Sequence, residues 1–191
     1  MLYPYISQFN WVDILIIVIA IRMCYIGFLK GPGIELFKLV SLLFCAFVAF
    51  HFYFTLAEFL ASKSPALPLE ATFLFTYVIL MLIITVIFKI IRDGFFMVIK
   101  TEGESSAGRY LGLAIGFIRG VLISGFVIFG LLISTAKYLD SSARTSFFGP
   151  KAVAISTKTY EFTFYGIVSK IFPEQGFNQE VTKVVQGKPD K

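Results

Sequence analysis

Long apolar runs separated by short polar segments dominate the pattern along the chain. The four runs cover residues 11–29, 34–60, 70–91 and 110–136. Each is close to or longer than the roughly 20 residues that an α-helix needs to cross the hydrocarbon core of a bilayer. We therefore predict an all-α fold, a polytopic integral membrane protein with four transmembrane helices in a domain over residues 1–136.

The first two runs are predicted to form an antiparallel hairpin. Asn10 and Asp13 stand where the first helix begins, in the positions of an N-cap and its acidic capping-box partner. The sequence Gly31-Pro32-Gly33 lies between the two runs, and a proline between glycines favours a tight turn. The first helix is expected to end here and the second to return across the membrane.

The segment after the fourth run is predicted to hold an amphipathic helix over residues 137–172. Six of its apolar residues lie near one helical face, namely Val153, Tyr160, Phe164, Ile167, Val168 and Ile171. Two interpretations stay open: the helix lies on the membrane surface, or it packs on the ends of the bundle. Residues 173–191 are polar and are expected to form a flexible tail.

Small residues recur at four-residue intervals in the fourth run. Gly108, Gly112, Gly116 and Gly120 share one helical face, and Ser124 continues it; we call these five positions the small-residue stripe. An interior glycine costs a soluble helix about 1 kcal/mol relative to alanine, but in a bilayer it lets another helix approach closely. The stripe therefore predicts helix packing, either within the chain or against a second copy.

Composition supports the membrane class and excludes others. Hydrophobic residues make up 57% of the 191 residues and charged residues 15%, which is too apolar for a soluble surface. The 23 phenylalanines and 9 tyrosines fit lipid-facing and interfacial positions. A net charge of +5 forms no basic block, so no nucleic-acid partner is expected. Cys24 and Cys45 lie in apolar runs, and with a single histidine no metal site is expected.

Basic residues near the ends of the runs favour an orientation with both termini outside. Lysine and arginine are enriched on the cytoplasmic side of membrane proteins. The second connection carries only Lys63, whereas the first and third together carry Lys30, Lys38, Lys89, Arg92, Lys100 and Arg109. The basic residues that follow the fourth run favour the opposite orientation. The N-terminus lacks a basic n-region and an obvious cleavage site, so the first run is expected to be retained.

Two arginines inside the apolar runs are candidates for function. Arginine at mid-membrane costs about 2.5–3.5 kcal/mol on insertion scales. Arg22 therefore faces a substrate or proton path, snorkels to the interface, or belongs to a span that begins nearer Leu2. Arg119 either attracts an anion, bonds a carboxylate such as Glu35, or pairs with backbone carbonyls and fixes the bundle.

Asp13 and His51 form a second candidate site. They lie 19 residues before and after Pro32, so a hairpin folded at the proline can bring them to the same membrane face. An Asp–His pair there could carry a proton. The alternative is that the two residues are solvated separately at the interface.

Several of these features resemble the colicin V production (CvpA) family of bacterial inner-membrane proteins. The matching residues are Asn10-Trp11-Val12-Asp13, the turn Gly27-Phe28-Leu29-Lys30-Gly31 followed by Glu35, and Leu111-Gly112 with Gly116-Phe117-Ile118-Arg119-Gly120. Lys30 stands where the family often has arginine, which keeps the charge. The resemblance covers roughly residues 9–170 and implies four transmembrane helices, the inner membrane and a link to colicin V (toxin) production or export.

Two functions follow and stay open. One is a membrane assembly or accessory factor that packs through the small-residue stripe, with the lipid bilayer, a second copy or other membrane proteins as its candidate partners. The other is a small transporter or channel component with Asp13, Arg22, His51 and Arg119 on a polar path. A serine hydrolase using Ser124 and His51 is disfavoured, because the glycine expected two residues before the serine is missing. No catalytic residue and no cofactor are expected.

Overall fold

The structure, a computed structural model, describes residues 9–63, 69–98 and 106–187. Within these ranges the chain is helical and has no strand. Three helices are long and apolar enough to cross a membrane, over Trp11–Lys63, Ala71–Phe95 and Ser106–Leu132. The prediction of an all-α protein with membrane-spanning helices is thus confirmed, although the helices themselves give three candidate spans where four were expected.

Seven α-helices and one π-helical turn make up the described part of the chain. In chain order they are α1 (Trp11–Lys63), α2 (Leu69–Val98), α3 (Ser106–Leu132), α4 (Lys137–Thr145), α5 (Gly149–Thr163), the π-helical turn (Phe164–Val168), α6 (Ser169–Ile171) and α7 (Gln179–Gln186). The long helices α1 and α3 share the most extensive contact, and α2 packs on α1 while α5 packs on α3.

Helix α1 bends sharply at Gly31, where the sequence places the turn. The backbone there has φ 71° and ψ 176°, a conformation open essentially to glycine alone. Pro32 follows, and its missing N–H is tolerated where a new helix begins. We call residues 11–30 the first limb of α1 and residues 32–63 its second limb.

The first limb runs antiparallel to α3. Residue numbers fall along the limb as they rise along α3, through the facing pairs Gly27 with Gly112, Met23 with Gly116 and Ala20 with Gly120. This contact begins beside the bend and continues along the limb. It fixes the direction of the first limb relative to the rest of the bundle.

The second limb runs in the same direction as α3, and so opposite to the first limb. Near the bend Glu35 meets Arg119, and further on Phe50 packs on Phe129. Helix α2 lies antiparallel to the second limb, through the ring pairs Phe37–Phe95, Phe44–Phe88 and Phe54–Phe73. The bend therefore folds α1 back on itself, with α3 against both limbs.

The small-residue stripe packs within the chain. Gly112, Gly116 and Gly120 face the first limb, and a Cβ added at Gly112 or Gly116 would collide with its backbone carbonyl oxygens. Ser124 is fully buried, and its hydroxyl donates to the Gly120 carbonyl at 2.8 Å. Gly108 is half-buried near the start of α3. The sequence left open whether the stripe packs within the chain or against a second copy. Gly112, Gly116 and Gly120 pack within the chain.

Aromatic rings from four elements fill the centre of the bundle. The Phe50 ring is fully buried, and its centroid lies 4.7 Å from that of Phe129, 5.6 Å from that of Tyr160 and 6.1 Å from that of Tyr77. The Tyr77 hydroxyl donates to the Phe126 carbonyl at 3.1 Å. Aromatic pairs add about 0.5–1.5 kcal/mol each beyond their buried area. Helix α5, which supplies Tyr160, is therefore part of the core.

Residues 137–172, predicted as one amphipathic helix, are divided among α4, α5, the π-helical turn and α6. Extended backbone at Ser146 ends α4, and Pro150 occupies the first turn of α5. Val153 and Tyr160 are buried against the bundle, whereas Ile167 is 55% exposed. Ile167 lies within the π-helical turn and Ile171 after it, and both are exposed, since the wider turn changes the helical phase. This division corrects the prediction of a single helix, and α5 packs on the bundle.

Part of the segment predicted as a flexible tail forms the helix α7. Asn178 caps it by accepting a hydrogen bond from the Glu180 amide at 3.1 Å, and its side-chain amide donates to the Phe50 carbonyl at 2.7 Å. Val181 is fully buried. Polar residues outnumber apolar ones in this segment, so composition alone concealed the valines that form the buried face of α7. Residues 188–191 of the predicted tail lie outside the described residues.

Replacing Gly116 by alanine is expected to destabilise the bundle, because the added Cβ meets the first-limb backbone and the helices must separate. We expect a loss of about 1–3 kcal/mol in the free energy of unfolding, the usual cost of overpacking. Gly94→Ala is the matched control, since no atom lies within 4 Å of the Cβ built there. Denaturation in detergent, followed by circular dichroism, measures both variants. Equal stability of the two would contradict the close contact.

Candidate functional site

A buried ion cluster joins the second limb to α3. Glu35 is fully buried, and its Oε1 accepts a hydrogen bond from the Lys38 Nζ at 2.6 Å. Its Oε2 lies 3.0 Å from Nη2 of Arg119, a residue that is 6% exposed. Glu35 stands near the start of the second limb, where the helix dipole stabilises a carboxylate. Two cations thus share one carboxylate, and the interpretation in which Arg119 pairs with Glu35 is the one that the structure adopts.

The guanidinium of Arg119 is not fully satisfied by this cluster. Its Nη2 also donates to the Met23 Sδ at 3.1 Å. Its buried Nε has no hydrogen-bond partner among the described residues, and the contact with Glu35 Oε2 is too poorly aligned to count as a hydrogen bond. Leaving a buried donor of a charged group unpaired is costly. The site therefore has the capacity to bond a further acceptor.

A cavity of about 360 Å³ lies next to the cluster, between the two limbs, α2 and α3. Five cationic side chains line it, namely Arg22, Lys38, Lys89, Arg92 and Arg119; we call this space the cationic cavity. Carboxylates are fewer: Glu35 is buried behind the lining, and Asp93 lies 2.5 Å from the Arg92 guanidinium. The electrostatic potential in the cavity is therefore positive, which favours an anion.

The cationic cavity lies well inside the bundle, measured from the bend. Arg22 stands nine residues before Gly31 and Lys38 seven residues after it. At a rise of 1.5 Å per residue, both lie about 10–14 Å along the limbs from the bend. Arg119 likewise follows Gly112, the glycine nearest the bend, by seven residues. The cavity thus lies nearer to the bend end of the bundle than to its opposite end.

The structure brings two of the four predicted polar residues together and separates the other two from them. Arg22 and Arg119 line the same cavity. Asp13 and His51 lie elsewhere and have different hydrogen-bond partners, so they do not form the hypothesised pair. Both side chains are buried, so the alternative of two separately solvated residues is wrong as well. The predicted path through all four residues is therefore not formed as one continuous site.

Asp13 holds the start of α5 against the start of the first limb. The carboxylate is fully buried and accepts hydrogen bonds from the amides of Phe147 at 3.1 Å and Phe148 at 2.7 Å. It also accepts from the Asn10 amide at 3.0 Å, while the Asn10 side chain accepts from the Val12 amide at 2.8 Å. Asn10 thus acts as the predicted N-cap, although its side chain bonds the amide of Val12 rather than that of Asp13, and Asp13 makes the predicted reciprocal bond to the Asn10 amide. The same carboxylate also holds the amides that precede α5.

His51 attaches the C-terminal segment to the second limb. Its Nδ1 lies 3.1 Å from the Tyr160 hydroxyl, and its Nε2 lies 3.1 Å from Oε1 of Gln175. Burial raises the pKa of Tyr160 to about 12, so the phenol keeps its proton at neutral pH and can donate to Nδ1. The Nε2 then carries the ring proton and donates to Gln175. This arrangement gives His51 a structural role.

Residues of the family-like turn meet the glycines of α3. Gly27 packs on Gly112, Gly31 forms the bend, and Glu35 enters the ion cluster, while Lys30 is exposed. Gly27 and Glu35 are therefore each in contact with α3, at Gly112 and Arg119, whereas Asp13 lies at the other end of the first limb against the start of α5. From the sequence, Lys38, Lys89 and Arg92 were used only to assign the orientation in the membrane. Their convergence on one cavity was not predicted. The three-residue spacing of Lys89 and Arg92, which places both on one face of α2, is the signal that could have found it.

Comparison with known proteins identifies one family. The family model described as colicin V production protein matches residues 12–157, which includes the bend, the ion cluster and the glycines of α3. No curated protein matches the chain significantly, and no solved structure does.

Glu35→Gln is expected to destabilise the bundle strongly, because it leaves Lys38 and Arg119 without their shared carboxylate. Removing one partner of a buried ion pair costs about 3–5 kcal/mol. The double variant Glu35→Gln/Arg119→Met removes both charges and should recover part of this loss. Unfolding in detergent of the wild type, both single variants and the double variant gives the coupling free energy.

Glu180→Gln serves as the control for this cycle, since its ion pair with Lys183 is partly exposed and should contribute about 1 kcal/mol or less. If the Glu35 and Arg119 substitutions prove additive, the two side chains do not depend on each other and the cluster is not a unit.

Asp13→Ala is expected to expose the start of α5 to solvent exchange, because two backbone amides lose their acceptor. Amide hydrogen exchange at Phe147 and Phe148, which directly precede α5, should accelerate more than at positions within α5. Asp13→Asn keeps one acceptor oxygen and should give an intermediate effect. Unchanged exchange at both amides in Asp13→Ala would show that the carboxylate does not hold α5.

Proposed function

The chain belongs to the colicin V production protein family, and we propose that it acts there as a small membrane transport component that binds an anionic solute in the cationic cavity. The family and the apolar helices make it a membrane protein whose family is named for colicin V production. To that assignment we add an activity, the binding of an anionic solute by the basic side chains inside the bundle.

The observation that carries the proposal is the convergence of five basic side chains on one cavity. They come from both limbs, α2 and α3, so distant parts of the sequence supply them. Cationic side chains inside a membrane bundle are costly and usually mark a pathway or binding site. A structural pair would need one cation and one carboxylate, whereas here the basic groups outnumber the acidic ones.

Four membrane crossings are part of the proposal. The first limb of 20 residues and the second of 32 are each long enough to span the hydrocarbon core by themselves. The glycine-only conformation of Gly31 and the opposite directions of the limbs along α3 support two crossings joined at the bend. Together with α2 and α3 this gives four spans.

The proposed setting is the bacterial inner membrane with both termini outside. In that orientation the bend faces the cytoplasm, where positive charge is favoured. The exposed Lys30 beside the bend and the basic residues Lys89 and Arg92 on α2 agree with this placement. An anion would then enter the cavity from the cytoplasmic side.

The alternative of an assembly factor that binds partners through the small-residue stripe has less support. Gly112, Gly116 and Gly120 are already covered by the first limb. Lipid surrounds the remaining apolar faces in the proposal, and a second copy could contact those faces but not the covered glycines. The proposal is also non-enzymatic, since anion binding accounts for the buried charges without a bond-making step.

Anion flux in proteoliposomes tests the proposal. We expect the wild-type chain to release trapped radiolabelled anions faster than protein-free liposomes do. The variant Arg22→Gln/Lys89→Gln should lower this flux about tenfold or more, since a focused cationic field raises local anion concentration by about 10–10³-fold. Lys137→Gln/Lys158→Gln removes two exposed cations outside the cavity and should leave the flux unchanged.

Two results would overturn the transport proposal. One is a flux no faster than that of empty liposomes for phosphate, sulfate and chloride alike. The other is an equal flux in the cavity variant and in its control, which would separate any transport from the cationic cavity.

A further inference from the structure

We propose that the cationic cavity binds a phosphate group, with the unpartnered Nε of Arg119 as one of its donors. The inference rests on the proposed anion site and names its ligand class. It does not require transport, since a phosphate group can also be held there without being moved.

Arg119 has a buried donor without a partner. Arg119 lines the cavity and is 6% exposed, yet its Nε has no hydrogen-bond partner among the described residues. An arginine edge offers two parallel N–H donors to an oxyanion. Here one edge donor, Nη2, already faces Glu35 and Met23. The Nε is left without an acceptor, and because this atom is itself buried, a ligand oxygen reaches it when the lining side chains shift to admit the ligand.

The cavity also carries positive charge that no carboxylate of the described residues compensates. Arg22 and Lys89 line the cavity, and neither has an ion-pair partner within the part of the chain that the structure describes. Arg92 is paired with Asp93, and Lys38 and Arg119 share Glu35. At least two positive charges are therefore free to meet an anion, which matches a ligand that carries more than one negative charge.

The cavity is also large. A cavity needs about 10–15 Å³ to hold one water molecule. At about 360 Å³, the cationic cavity is far larger than a site for a single-atom anion such as chloride. Guanidinium groups match the geometry of phosphate and carboxylate oxygens, and lysine is a common phosphate partner. Three arginines and two lysines from four directions suit a tetrahedral oxyanion better than a planar carboxylate.

A phosphate group can come from two sources at this position. Arg22 and Lys89 line the cavity and are exposed. The cavity is therefore open on the side of these two residues, where a lipid headgroup can enter from the bilayer. A free phosphate ion or small phosphoester can enter from solution at the bend end. Both sources present the same oxyanion to Arg119.

The experiment uses the full-length chain in a phosphate-free maltoside detergent. Thermal unfolding is measured in sodium phosphate, acetate and chloride at equal ionic strength. Saturating phosphate, at about a hundredfold excess over its Kd, should raise Tm by roughly 5–10 °C above chloride. Native mass spectrometry of the same sample with added phosphatidylglycerol measures retained lipid, and a neutral diacylglycerol is the lipid control.

Three variants separate the cavity from general charge effects. Arg22→Gln/Lys89→Gln should abolish the phosphate-specific response, and Lys137→Gln/Lys158→Gln should retain it. Arg119→Lys keeps the charge facing Glu35 but removes the Nε donor, so it should fold and show a weakened response. This variant also tests the named donor without removing the ion pair.

The outcomes distinguish the sources and the proposals. A phosphate-specific rise in Tm, lost in the cavity variant, identifies free phosphate as the ligand. Retention of phosphatidylglycerol, lost in the same variant without a response to free phosphate, identifies a lipid headgroup. Equal responses to chloride, acetate and phosphate, with no lipid retained, would overturn the inference. Anion flux without any phosphate preference would overturn the phosphate site and leave the transport proposal standing. Phosphate binding without flux would overturn the transport proposal and leave the phosphate site standing.

Discussion

Direct backbone contact between the first limb and α3 is the constraint on which the rest of the structure depends. Gly27 and Gly112 face each other, and a side chain on either would collide with the opposite helix. Inside a bilayer, where lipid is as apolar as the helices, such close contact supplies the packing that holds helices together. The contact sets the axial position of α3 along α1. It therefore decides that Arg119 meets Glu35 rather than lipid.

The parts of the fold that could be predicted from sequence are those that local spacing determines. A glycine–proline–glycine segment predicts the bend because it limits the backbone at one position, and the four-residue glycine period predicts a close contact because it defines one helical face. Counting residues from Pro32 gives only the depth of Asp13 and His51 in the membrane. Depth says nothing about rotation around the helix axis, so the pairing of those two side chains could not be derived. The cationic cavity depends on the rotation of four helices and was beyond the sequence for the same reason.

The ion cluster illustrates how an apolar bundle accommodates charge. A buried salt bridge contributes little net stability by itself, since desolvation opposes the attraction. Glu35 nevertheless faces two cations, and its burial places a fixed negative charge behind a positive cavity wall. That arrangement lowers the repulsion among the basic groups while leaving the space in front of them positive. The same carboxylate thus pairs with the buried arginine without neutralising the cavity.

The attachment of α7 to the second limb has a consequence for biogenesis. Asn178 bonds the carbonyl of Phe50, a residue that is synthesised 128 positions earlier. Both limbs, α2 and α3 therefore leave the ribosome before Asn178 does, and this contact cannot help the limbs at the start of their insertion. The attachment of α7 is thus a late step in the assembly of the bundle.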